Sequence, residues 1–297
     1  MTYLRSALLV LILLSHVTAA DNSVATAATA QKTFKLVLII DDLGNNYAQG
    51  QRAVELPGLA TMAVLPHRPS SKRLARNAFE QGKEVILHAP MSNVHGNNLG
   101  AGALTLNMPE QQLLETLRDN IASIPHVVGV NNHMGSELTS DRQAMSLVMA
   151  ELQTQQLYFV DSRTTIETVA AEQAELLGLP SMERQVFLDH VINTEAIANE
   201  FQRWLKLAEK NGVAVAIGHP HEATMSYLEQ QLPTLAAAGF ELVTPSQLLL
   251  SQQTGAEVFE ERELASATEL PAELPADKKK PQPILELYRS LLKLSSL

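Results

Sequence analysis

The chain has 297 residues, 22 Lys and Arg against 32 Asp and Glu, a formal net charge of −10 and no cysteine. That length allows one large α/β domain or two small ones without disulfide support. The acidic balance argues against a nucleic-acid partner, whose phosphates would be repelled, and the missing thiols exclude both a cysteine nucleophile and a thiolate metal site. Any metal must be held by Asp, Glu and His.

The N-terminus reads as a signal peptide over residues 1–20. Arg5 precedes the unbroken apolar run Ala7 to Leu14, and small residues follow up to Ala19 and Ala20, where cleavage is expected. The run is far shorter than the roughly 20 residues that span a bilayer, so no stable membrane span remains after cleavage. The mature protein is therefore expected to work in the periplasm or as a secreted protein. Residues 21–33 are a flexible Ala/Thr-rich lead-in without a core pattern.

From Phe34 to about Gln252, short apolar runs alternate with amphipathic stretches, the pattern of a parallel β/α domain. The pattern predicts strands over residues 35–41, 60–65, 84–88, 127–131, 157–161, 185–188, 213–218 and 241–243. Helices between them have recognisable starts, since Asn107 and Ser140 each precede a Glu or Gln by three places, the spacing of a capping box. A helix from about Thr194 to Lys210 carries Ile197, Phe201, Trp204, Leu205 and Ala208 on one face and ends at Asn211-Gly212, which is ordinary core packing. The Gly- and Asn-rich stretch 93–107 is long enough to form a lid or rim, and His95 within it reads as a solvated loop histidine. Residues 253–297 form a low-complexity linker rich in Glu, Ala, Pro and Lys, then a short amphipathic tail over Ile284 to Leu294 that could dock on the domain or on a protein partner.

The stretch Leu36 to Asn46 organises the rest. A buried strand runs into Asp41 and Asp42, and two adjacent carboxylates repel unless a cation or a shared proton relieves them. A solvated turn is the plain alternative. Four more polar groups fall at the C-terminal ends of predicted strands: His88, Asn131-Asn132-His133, Asp161-Ser162-Arg163 and His219-Pro220-His221. In a parallel β/α fold those ends share one rim, so groups scattered through the sequence converge there. Any one histidine so placed could be structural; five coincidences on one rim favour a site.

Ile39-Ile-Asp-Asp-Leu-Gly44, Gly82-Lys-Glu-Val-Ile-Leu-His-Ala-Pro-Met91, Asn131-Asn-His-Met-Gly-Ser136, Phe159-Val-Asp-Ser-Arg-Thr164 and Ile217-Gly-His-Pro-His221 together resemble the divergent polysaccharide deacetylases, an offshoot of the NodB-like carbohydrate esterases. The resemblance covers roughly residues 34–250 and implies a distorted (β/α) barrel with a divalent metal, usually zinc, at its rim. It makes Asp41 the general base and Asp42 a metal ligand, with His88 as the first imidazole ligand. The usual His-x-x-x-His departs here, because Ser92 stands four residues after His88. His133 is the expected replacement, with His219 in reserve. His219 otherwise fits the general acid, and Asp161 and Arg163 fit the groups that orient or tune it. The implied chemistry is removal of an acyl group, acetyl above all, from a polysaccharide or envelope glycan. The alternative is an inactive deacetylase-like envelope protein that binds glycan or a protein, motivated by the altered motif and by an aromatic content of only 4%.

Overall fold

The protein is described here by a computed structural model over residues 33–252. The signal peptide, all but the last residue of the lead-in, and the linker and amphipathic tail from 253 onward lie outside the described residues. Strands and helices follow in the order β1 (Phe34–Leu43), α1 (Tyr47–Val54), β2 (Ala60–Val64), α2 (Ser71–Glu80), β3 (Glu84–Met91), α3 (Glu110–Ser123), β4 (Val127–Met134), α4 (Arg142–Thr154), β5 (Tyr158–Asp161), α5 (Ala170–Leu176), β6 (Ser181–Glu183), β7 (Val186–Phe187), α6 (Thr194–Asn211), β8 (Val213–Gly218), α7 (Glu222–Gln231) and β9 (Phe240–Leu242). Residues 245–252 are again helical.

All strand pairs are parallel, in the order β6-β5-β4-β3-β2-β1-β8-β7. β9 pairs with Phe34 to Leu36 of β1, below the point where β2 begins to pair at Leu38. Strands β6 and β7 sit at opposite ends of this order, yet only Arg184 and Gln185 separate them in sequence. The sheet must therefore curl until its two ends meet. The link itself stitches the seam, for the Arg184 amide donates to the Asp161 carbonyl and the Gln185 amide to the Val215 carbonyl, each at 3.0 Å. The result is an α/β half-barrel of parallel strands with helices outside.

Both faces of the sheet are buried, which is why its strands read as continuous apolar runs. Alternate residues point inward, and Val37, Ile39, Ala63, Ile86, Val160, Val215 and Ile217 fill the interior together with Val243, Leu248 and Leu249. Their sequence neighbours Leu36, Leu38, Ile40, Met62, Val64, Val85 and Leu87 belong instead to the larger core shared with the helices.

Two expected caps are corrected. Helix α4 is capped by Asp141, whose carboxylate accepts from the Ala144 amide at 2.8 Å, while the Ser140 hydroxyl turns back to the Ser136 carbonyl. Helix α3 starts after Pro109 with no side-chain cap, so Asn107 does not serve. Helix α6 matches its expected extent, with Asn193 capping it and Gly212 ending it at φ 85°, where a Cβ would be strained. Trp204 in α6 is fully buried, edge-on to Phe201, and its indole N–H donates to the Ala214 carbonyl at 3.0 Å. Trp204→Ala is therefore expected to cost about 3–5 kcal/mol in urea unfolding without altering metal stoichiometry, because the cavity lies between α6 and the sheet and not at the rim.

Candidate metal centre at the rim

The inward-facing positions supply the site by simple continuation. Two residues beyond Ile39, Ile86, Gly129, Val160 and Ile217, the same face presents Asp41, His88, Asn131, Ser162 and His219. Register places them side by side: His88 is opposite Asn131, and Ile39 is opposite Ile217, so Asp41 and His219 leave their strands at the same level. One further step along β4 brings His133 opposite Pro90.

Consecutive residues on a regular strand point to opposite faces, so Asp41 and Asp42 could not both serve one site without a break. The break is present. The β1–β2 register slips between Ile40 and Leu43, and Asp42 adopts φ 63°, the left-handed region. Both carboxylates then approach His88, whose Nε2 lies 3.2 Å from Asp42 Oδ1 and 3.7 Å from Asp41 Oδ2.

Three ligand atoms converge. Asp42 Oδ1 is 2.9 Å from His133 Nδ1, and His133 Nδ1 is 3.1 Å from His88 Nε2, which closes a triangle with the 3.2 Å edge above. Tetrahedral ligands at about 2.0 Å from one zinc ion stand roughly 3.3 Å apart, so these edges fit a common cation. The buried Asp42 Oδ1 supports this, since it has no hydrogen-bond partner despite its short contacts and is aimed between the two rings.

Asn131 fixes the ring that faces this centre. Its amide N–H donates to Asp41 Oδ1 at 2.8 Å, which orients the carboxamide so that its Oδ1 accepts from His88 Nδ1 at 2.8 Å. The His88 proton is thereby held on Nδ1 and the Nε2 lone pair is left for the centre. Burial raises the Asp41 pKa above its ordinary 3.8, opposed by His88, His219 and Asn131. Burial acts the same way on Asp42, but His133 and His88 outweigh it and hold that carboxyl well below the usual range. For His88, burial disfavours the charged ring, yet Asp41 and Asp42 prevail and raise its pKa above 6.5. A pocket that draws a proton onto a buried imidazole is one that would draw a cation.

A second group adjoins the first. The His219 ring donates from Nδ1 to Asp189 Oδ1 at 2.9 Å, and its backbone amide donates to Asp189 Oδ2 at 2.6 Å, where the Thr224 hydroxyl also donates. Burial disfavours a charged His219, but the bond and charge of Asp189, with Asp41 and Asp42 beyond, push its pKa up to about 9. Asp189 is held below 3.8 by the same partnership, against its burial. His221, at the N-terminus of α7, lies 5.7 Å from His219 between ring centres.

The structure thus brings together Asp41, Asp42, His88 and His133, with His219 near enough to act on the charge of Asp41. Asp161 stands apart from His219. Its two oxygens accept from the Arg163 amide and the Thr168 hydroxyl, both at 2.8 Å, while the Arg163 guanidinium pairs with Glu183. The carboxylate that bonds His219 is Asp189, which follows the apolar stretch Val186 to Leu188 as Asp41 follows Leu36 to Ile40. Asn131 and Ser162 were visible only as motif members. Arg184 gave no sequence signal; it donates to the Ser162 and Arg163 carbonyls, and burial lowers its pKa to about 10. The 93–107 stretch is irregular and tied down where Leu104 bonds Pro90 and Ser92 and where Asn120 holds Gly102; His95 is exposed on it.

Comparison with known proteins places the chain in a family and a fold. The chain is 36% identical over 219 residues to the uncharacterized protein YibQ of Escherichia coli, covering 74% of this chain and 68% of that one. It is 32% identical over 201 residues to an uncharacterized protein of Haemophilus influenzae, covering 68% and 72%. The crystal structure of an uncharacterized Agrobacterium tumefaciens protein superposes with a TM-score of 0.71 at 21% identity, over 74% of this chain and 91% of that one, and so shares the fold. Residues 38–249 match the family described as divergent polysaccharide deacetylase, and the chain belongs to that family.

Proposed function

We propose that the protein is a metal-dependent hydrolase that removes acyl groups, acetyl above all, from a polysaccharide of the cell envelope. The observation that carries this reading is the convergence of Asp42 Oδ1, His88 Nε2 and His133 Nδ1 within 3.2 Å of one another beside the buried carboxylate of Asp41. These three would hold a divalent cation, zinc being well suited to two imidazoles and a carboxylate. When bound, such a cation supplies a Lewis acid for the acyl carbonyl and acidifies a water molecule.

The chain's own residues do the rest. Asp41 takes the proton of the attacking water, and its burial makes it a stronger base than an exposed carboxylate. Asn131 keeps that carboxylate in place through Oδ1. His219, protonated and held by Asp189 through Nδ1, delivers a proton from Nε2 to the departing sugar nitrogen or oxygen. Asp161 anchors the turn that carries Arg163 and Thr168 at the mouth. The glycan substrate is supported by the family, and a periplasmic location by the Ala7 to Leu14 run; among the described residues no helix is long and apolar enough to cross a membrane.

The test is acetate release from a panel of acetylated envelope glycans by zinc-loaded protein. Asp41→Asn is expected to reduce release by about 10²–10⁴-fold while keeping the metal. Wild-type protein that retains one metal yet frees no acetate from any of them would overturn the reading and leave an envelope protein that binds glycan or protein instead.

A further inference from the structure

At the end of the barrel opposite the metal centre, two hollows of about 360 Å³ and about 460 Å³ adjoin, sharing Val128, Ser246 and Leu250. They open where β3, β4 and β5 begin, and the 245–252 helix forms their common wall. Phe79 is 55% exposed and Val128 is 41% exposed, unusual for large apolar side chains sharing one groove. The polar groups of the floor are already engaged: Glu84 accepts from the Tyr158 hydroxyl at 2.6 Å, and the Lys83 ammonium donates to the Leu56 and Gly58 carbonyls. What the groove offers a partner is therefore apolar contact.

The chain itself supplies a matching segment. Ile284, Leu287, Tyr288, Leu291 and Leu294 recur at helical spacing, with Glu286, Arg289, Ser290 and Lys293 on the other side, directly after Pro283. The described chain ends at Gln252, two residues beyond Leu250 in the groove wall and on the side of the same helix that faces Met182 and Val215, so the sequence that follows starts at the base of the barrel beside the groove. Residues 253–283 intervene, and a coil of that length has a root-mean-square span of about 30 Å. That distance is on the scale of the domain and keeps the segment at an effective concentration in the millimolar range, so even weak apolar contact is enough to seat it. From these observations we infer that residues 284–294 dock as an amphipathic helix in the groove between Phe79, Val128 and the 245–252 helix, covering the base of the barrel and leaving the metal end open. This inference is independent of the catalytic reading.

The absence of cysteine from the chain makes the test clean. In the full-length protein, Val128→Cys combined with Leu291→Cys is expected to form an intramolecular disulfide under mild oxidation at least ten times faster than a control pair, Ile166→Cys with Leu291→Cys, in which the first position lies at the metal end. Adding Leu287→Asp, a change outside the described domain that leaves its core intact, should bring the two rates together. Equal rates in the two pairs without that change would overturn the inference. So would a disulfide forming only between chains, which would assign the groove to a second copy, or capture of the segment by another protein with no intramolecular product.

Discussion

Asp42→Asn is expected to lose metal binding by more than about 100-fold, since even partners one bond removed from a metal change affinity by about 10–100-fold. Asparagine is the informative replacement. Asp42 sits at φ 63°, a conformation that asparagine tolerates and alanine adopts at a cost of about 1 kcal/mol, so Asp42→Ala would combine strain with ligand loss. The neutral amide keeps the shape but removes the charge that faces His88 and His133. Titration calorimetry with zinc measures the affinity directly, and thermal shift gives a second reading. A metal at 100 times its Kd stabilises wild-type protein by about 2.7 kcal/mol, a gain the variant should lack. Undiminished zinc affinity in Asp42→Asn would remove this residue from the ligand set.

Asp189→Asn should move the alkaline limit of activity. His219 titrates at about 9 because Asp189 bonds its Nδ1 and because Asp41 and Asp42 add negative charge, together overcoming burial. An acid must carry its proton, so wild-type activity is expected to persist up to about pH 9 and fall beyond it. With Asp189 neutralised, the His219 pKa falls towards 6.5. At pH 8 the protonated fraction then drops by up to about 30-fold, whereas near pH 6 the two proteins should differ little. Stability follows the same sign. The contribution of the raised His219 pKa is complete below 6.5 and is lost as pH rises through about 9; that of the depressed Asp189 pKa is present above 3.8 and is lost as pH falls through its lower folded value. The histidine resonance of His219, followed by NMR across this range, separates the titration from the rate. Identical pH–rate profiles in the two proteins would show that Asp189 does not govern the acid.

Much of this site was legible in the sequence because a parallel sheet sends every strand's C-terminal end to one rim. Asp41, His88 and His219 each close an apolar run, and His133 lies just past one, behind Asn131 and Asn132, where the family resemblance singles it out as the replacement imidazole. Two kinds of information escaped the pattern. Asp189 directly follows the strand expected over 185–188, of which β7 keeps Val186 and Phe187, but the pattern alone does not tell its carboxylate from that of Asp161 as the partner of His219. Strand β6, Ser181 to Glu183, has no apolar run at all and pairs only because the curled sheet brings it beside β5. Strand position alone points to Asp161 as the partner of His219, but the partnership is fixed by three-dimensional closeness between segments thirty residues apart. The bulge that turns Asp42 towards Asp41 likewise has no signature beyond the doubled aspartate itself, since a left-handed residue follows from the surrounding register and not from local propensity.

The two-residue junction between Glu183 and Val186 also limits how such a barrel can vary. Its sector of the mouth has no length of chain to elaborate, and Arg184 already commits its side chain to the neighbouring backbone. Longer excursions lie after β3, over residues 92–109, and after β5, over residues 162–169. Variation in the molecules admitted has most room at those two borders, while a join of two residues limits how far β7 can move from β6 and so steadies the Asp189–His219 side of the cleft.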